Sequence, residues 1–199
     1  MAALAYEPRQ DQRRAHPDTN VRAARPHEHD AIVALLLEAN REYRAVLPAR
    51  VFYAYMQNLR ELVADAVARE LMVAELNGHI LGTIAFHPDA SRQSWGLPKG
   101  WAGLRALAVD PTARGRGIGR QLAEACILRA WRIGAPVACL HTSPFHRAAR
   151  RLYQGMGFVR SPDHDLDVSD VAAGGSDDPR DDPRGERLVI EAYRLDLKA

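Results

Sequence analysis

The chain has 199 residues, of which 47% are apolar and 26% charged, with a formal net charge of +2. That length supports one domain with a sizeable core and is short for two, and the composition is that of a globular chain rather than a disordered or fibrous one. So weak a positive balance calls for neither a nucleic acid nor a membrane surface as partner.

Residues 1–19 are polar, rich in Arg and Gln and aperiodic, and read as a flexible tail without the apolar stretch of a secretory signal. No run approaches the roughly 18 apolar residues of a membrane span, so a cytoplasmic protein is expected. Residues 21–24 are a candidate first strand. Pro26 opens a helix in which Ile32, Leu35, Leu36 and Ala39 recur at helical spacing, and a second helix follows Pro48 with Phe52, Tyr55, Met56, Leu59 and Val63 on one stripe. Such stripes usually belong to a core. Tyr43 and Tyr53 fall off them and are the better candidates for a pocket wall.

Residues 71–76 and 80–86 are apolar runs joined by Asn77-Gly78, a dipeptide that tolerates positive φ at both positions and so signals a hairpin. After a Pro-, Ser- and Gly-rich loop comes a strand at 104–109, stopped by Asp110-Pro111. A helix at 117–133 carries Ile118, Leu122, Cys126 and Ala130 on one face, and Gly134 and Pro136 end it. Residues 137–142 read as a buried strand, 145–154 as a helix and Phe158-Val159 as a strand start. Residues 161–186 form an acidic loop insert, read most simply as solvated, whose charge would also suit drawing in a cationic amine; 187–197 is a last strand. Cys126 and Cys139 lie in apolar segments outside any C-x-x-C pair and read as reduced core thiols. This order of elements makes one α/β domain over 20–199 with a mixed sheet, in which the strand–turn–helix–strand portion joins two parallel strands.

Gly115, Gly117 and Gly119 lie where a strand ends and a helix begins. Unpaired N–H groups and the positive end of the helix dipole favour phosphate there, glycines admit a close approach, and Arg114, Arg116 and Arg120 add cationic donors. A dinucleotide fingerprint would need glycine at Arg120, and the G-K-[ST] of a P-loop is absent. A surface turn without a ligand is the alternative.

Leu104-Arg105-Ala106-Leu107-Ala108-Val109-Asp110-Pro111, followed by Arg114-x-x-Gly117-x-Gly119, resembles the acyl-CoA signature of the GNAT superfamily of N-acetyltransferases. Ala149-x-x-Leu152-Tyr153-x-x-x-Gly157-Phe158 resembles that superfamily's second block. The resemblance is close over about 70–160, extends to the N-terminal helices only in their order, and leaves out the tail and the acidic insert. It implies a mostly antiparallel mixed sheet with helices on both faces and a central splay between two parallel strands, the first of them bulged. It implies that backbone N–H groups of Gly115, Arg116, Gly117, Ile118, Gly119 and Arg120 cradle the CoA pyrophosphate. Leu107, Ala108 and Val109 would pair with the pantetheine arm, and an N–H near Leu107 would polarise the thioester carbonyl. His146 stands where the family often has an Asn that contacts pantetheine.

The resemblance places Tyr153 as the acid for the departing thiolate, a role that a phenol, protonated at neutral pH, can fill. No carboxylate occurs from Trp101 to Val109, where many relatives carry their base. A subset resembling ribosomal-protein alanine acetyltransferases has a Glu twelve residues before the tyrosine, which here is His141, a residue able to accept a proton near neutrality. A water chain, an amine that arrives neutral, or Glu75 are the alternatives. The expectation is an N-acetyltransferase moving acetyl from acetyl-CoA, without a metal, to a primary amine of a small molecule or peptide. The rival is a non-catalytic acyl-CoA sensor or interaction module. The sequence leaves open the acceptor, the acyl length and whether a homodimer forms.

Overall fold

The computed structural model describes residues 19–64, 70–92, 96–168 and 189–197, so the tail over 1–18 and the acidic segment over 169–188 lie outside the described residues. The described elements run β1 (Asn20–Ala23), α1 (His29–Asn40), α2 (Ala49–Ala64), β2 (Glu70–Leu76), β3 (His79–His87), β4 (Ala102–Val109), α3 (Ile118–Arg132), β5 (Val137–Thr142), α4 (Arg147–Gln154), β6 (Val159–Arg160), β7 (Leu166–Asp167) and β8 (Val189–Asp196). The β2–β3 hairpin turns on Asn77 at φ 51° and Gly78 at φ 81°, the two positive values that a tight twisted turn requires. None of these helices is long and apolar enough to cross a membrane.

The strands form a single sheet in the order β1-β2-β3-β4-β5-β8-β6, with β7 also on β8. Alternation along the central strands divides the core. Val73 and Ala85 pack beneath Ile32 and Leu36 of α1 and Leu59 and Val63 of α2, whereas Ala74, Ile84 and Phe86 pack against Ile118, Leu122 and Cys126 of α3. Helices therefore cover both faces, as the period-2 alternation of a strand demands. Cys126 and Cys139 are both buried free thiols.

β4 and β5 are parallel, and their pairing covers only Ala102↔Ala138, Gly103↔Cys139 and Leu104↔Leu140. The cause lies on the other edge of β4. Opposite β3, Ala108 pairs with Thr83 and Arg105 with Ala85, so Ile84 faces two residues, Ala106 and Leu107. This is a β-bulge, and Ala106 sits in it at φ 51°. A bulge bends and twists its strand, which carries 105–109 away from β5. Beyond Leu140, His141 and Thr142 pair only with Ala192 and Glu191 of β8. The expected splay is present.

The reading of 161–186 as a loop is corrected over its first eight residues. Pro162–His164 makes a 3-10 turn, and Leu166 and Asp167 pair with Ile190 and Val189. Both guanidinium nitrogens of Arg160 hold the Asp165 carboxylate at 2.7 Å, and that carboxylate accepts the Ala192 N–H at 2.8 Å. Asp165 is thus an anchor onto β8 and not a solvated charge.

The bulge makes a prediction. A β-branched side chain fits the left-handed region poorly, so Ala106→Val should cost about 1–3 kcal/mol, whereas Ala106→Gly should stay within about 1 kcal/mol of the parent. Thermal unfolding of the two variants checks this. A valine variant as stable as the parent would mean that the bulge is not what fixes β4.

Candidate active site

The strand-to-helix turn is shaped by Gly115 at φ 79° and Gly117 at φ 80°. Gly117 is the N-cap of α3 and has no side chain with which to satisfy the first-turn N–H groups. Those donors and the helix dipole face a cleft of about 1030 Å³ that Gly115, Gly117, Ile118, Gly119 and Arg120 line. Arg114 also lines it, whereas Arg116 does not. Arg120 reaches Glu124 at 3.5 Å and the Gly155 carbonyl at 3.4 Å.

From this turn the cleft runs into the splay. Leu107, Ala108 and Val109 form one wall, and because 105–109 pair only with β3, their other backbone edge opens into it. Tyr153, His141 and His146 line the same space. The Tyr153 ring sits edge-on to Phe158, with centroids 5.6 Å apart, and burial raises its phenol well above the usual value, so the hydroxyl stays protonated.

His141 is held through Nε2, which donates to the His164 carbonyl at 2.8 Å; this sets the neutral tautomer, with its lone pair on Nδ1. Burial lowers its pKa, against the raising effect of that bond and of Asp165, so the ring is neutral near pH 7. His146 is pushed down to about 4 by burial. Its Nδ1 faces the Ser143 N–H and the Thr142 hydroxyl, each at 3.4 Å, and its Nε2 faces the Tyr55 hydroxyl at 3.4 Å. Tyr55 donates its own proton to Asn40 Oδ1 at 2.8 Å, so it is the acceptor toward His146, and Asn40 Nδ2 donates to the Leu36 carbonyl at 2.8 Å. Both nitrogens of His146 thus face protein partners, where the resemblance had one of them reaching the donor.

Of the two residues expected in the walls, Tyr43 is there and Tyr53 is not. Tyr43 does line the cleft, with its ring 5.0 Å from Phe145 and 4.7 Å from His146. Tyr53 is 62% exposed and packs only edgewise on Phe52, because an off-stripe residue of α2 here faces solvent. Tyr55, assigned to the core stripe, places its hydroxyl in the cleft network. Asn40 joins that network, and its signal in the sequence is a polar residue four positions after Leu36 on an apolar stripe. Glu75 is at the far side of the sheet, hydrogen-bonded by Arg22 Nε at 2.7 Å, and is no base for this cleft. No cluster of three or more His, Cys, Asp or Glu among the described residues is arranged to hold a metal.

The sequence pattern of the acetyltransferase (GNAT) family matches residues 30–158, well over half of the chain. The chain belongs to this family. The GNAT chain is similar to N-alpha-acetyltransferase 30 of Saccharomyces cerevisiae, 40% identical over 62 residues, which is 31% of this chain and 34% of the yeast protein; the match spans about a third of that relative's length. Two solved structures resemble it in fold. An acetyltransferase from Bacillus subtilis in complex with CoA has a TM-score of 0.62 at 16% identity, over 90% of this chain and 99% of that one. A GNAT family acetyltransferase from Brucella melitensis in complex with acetyl-CoA has a TM-score of 0.54 at 27% identity, over 71% of this chain and 82% of that one. The GNAT chain is therefore read as an acyltransferase.

The depressed pKa of His146 has a consequence for stability. The unfolded ring keeps its ordinary value of 6.5 and the folded ring titrates at about 4, so on acidification the unfolded chain binds the proton first. The stabilisation from a neutral His146 is whole above pH 6.5 and is lost as pH falls toward 4. Urea unfolding of the parent and of His146→Asn at pH about 7 and about 5 should show the gap between them narrowing at the lower pH. A gap independent of pH would show that His146 is not buried as described.

Proposed function

We propose that this chain transfers the acetyl group of acetyl-CoA to a primary amine of a small molecule or peptide. The observation that carries this reading is that one cleft joins an anion-binding helix N-terminus, an open strand edge and a phenol kept protonated by burial. The pyrophosphate would lie on the N–H groups of Gly115 to Arg120. The pantetheine arm would extend along 107–109 as an added strand, with an N–H near Leu107 facing the thioester carbonyl. The amine attacks that carbonyl, the C–N bond forms and the C–S bond breaks. Tyr153 gives its proton to the leaving thiolate, and His141 takes the proton that the amine loses. Of the two acceptor classes, the name of the yeast relative favours a peptide amino terminus.

The test is a panel of free-amino-terminal peptides, amino-terminally blocked lysine peptides, polyamines and aminoglycosides, followed by CoA release and product mass. No acetylated product from any class, with CoA failing to bind in calorimetry, would sink the reading. Tyr153→Phe should lower kcat by about 10²–10⁴-fold with little change in KM for acetyl-CoA. A loss below about threefold would return Tyr153 to a packing role. Because burial lowers the His141 pKa, kcat/KM should fall on an acidic limb below 6.5. His141→Ala, compared across pH with one acceptor, should lose rate and that limb together; keeping both would remove His141 as the base.

A further inference from the structure

Arg114 stands in the signature turn, yet its guanidinium is engaged elsewhere. Nη2 donates to the Ala39 carbonyl at 2.7 Å, and Nη1 pairs with Glu42 Oε1 at 2.8 Å. Ala39 lies in the last turn of α1, where carbonyls lack intrahelical partners and carry the negative end of the dipole. That turn of α1 contains no basic residue of its own, so Arg114 is the cation it lacks. The chain then continues into a 3-10 turn, Arg41–Ala45, closed by the Val46 and Leu47 N–H groups, which donate to the Tyr43 carbonyl at 3.0 and 2.9 Å. Tyr43, in the middle of this turn, meets Phe145 and His146 on the loop after β5. The turn therefore bridges the cleft, held by Arg114 at the glycine-turn end and by ring contacts at the other.

We propose that Arg114 is a positioning residue. Together with Glu42 it fixes the 41–45 turn, and through it Tyr43 as a wall of the acceptor side; the donor phosphates are left to the backbone of 115–120. An exposed ion pair alone would contribute little. A two-pronged grip on a carboxylate and a helix-end carbonyl uses the planar fork of arginine, which a lysine does not reproduce. The inference rests on the acetyl-CoA reading only for its CoA measurement, since amide exchange tests the turn with no ligand present.

Three variants, Arg114→Gln, Arg114→Lys and Glu42→Gln, are compared with the parent. The measurements are hydrogen exchange at the Val46 and Leu47 amides, the NMR signals of the His146 ring and calorimetric affinity for CoA. Exchange at the two amides should rise about tenfold in both Arg114 variants and less in Glu42→Gln, because only Arg114 also holds Ala39. The His146 signals should shift in all three, since Tyr43 moves against that ring. Arg114→Lys should not rescue the exchange although it keeps the charge, and CoA affinity should stay within about threefold of the parent in Arg114→Gln and Glu42→Gln. Unchanged exchange and unchanged His146 signals in Arg114→Gln overturn the proposal. So does a more than tenfold loss of CoA affinity in Arg114→Gln with Glu42→Gln unaffected, which would return Arg114 to the phosphate. A parent protein that binds no CoA would instead count against the acetyl-CoA reading.

Discussion

A strand inside a sheet must pair the N–H and C=O groups on both of its edges or offer them to something else. β4 meets that demand on its β3 edge along most of its length but on its β5 edge only as far as Leu104. The stop follows from the bulge at Ala106, one extra residue held at a φ that alanine rarely adopts. From this single irregularity come the divergence of β4 and β5, the open backbone edge over 105–109, and the slot between His141 and Leu107. The fold thus leaves a vacancy shaped like a strand in the middle of its sheet. An extended chain with amide groups of its own is the natural occupant of such an edge.

Electrostatics divides this slot into two ends. At the glycine turn, the helix dipole and the uncapped N–H groups of α3 provide fixed positive potential suited to phosphate. Toward the splay, three tyrosines and two histidines are held neutral beside the cationic Arg105. Burial raises Tyr43, Tyr55 and Tyr153 and lowers His141 and His146, so at neutral pH all five are uncharged. Such desolvation would favour the unprotonated amine that the proposed attack on a thioester requires.

Features with a local cause were legible in the sequence. Asn77-Gly78, the glycine turn, the bounds of β5 and the face of α3 each follow from a few adjacent residues, and each stands in the structure as read. What escaped depends on partners remote in the chain. Asp165 belongs to the sheet because β8, more than twenty residues later, receives it. Periodicity cannot separate a stripe residue deep in the core from one at its margin, so it gives Tyr55 a packing role although its hydroxyl reaches the cleft. Off-stripe position is equally ambiguous: it put Tyr43 on the wall and Tyr53 in solvent. The resemblance supplied the candidate roles of Tyr153 and His141, which spacing alone would not have singled out.

The end of α1 is where these strands of evidence meet physically. Its final turn gathers side chains: its own Asn40 and, from elsewhere in the chain, Tyr55 and Arg114. Asn40 bonds back to Leu36 and receives Tyr55, which in turn faces His146; the adjacent Ala39 carbonyl receives Arg114. One helix end is therefore tied both to the turn that would hold the donor and to the rings that flank the splay. Neither tie is strong in isolation: a neutral hydrogen bond contributes only about 1 kcal/mol net, and the charged bond from Arg114 is weakened by the exposure of its guanidinium. Their common anchor is a helix packed through Ile32 and Leu36 against β2 and β3, so the two ends of the cleft keep their spacing through the core rather than through direct contact. The proposed transfer would need such a spacing, because attack between two bound reactants depends on geometry fixed before they arrive.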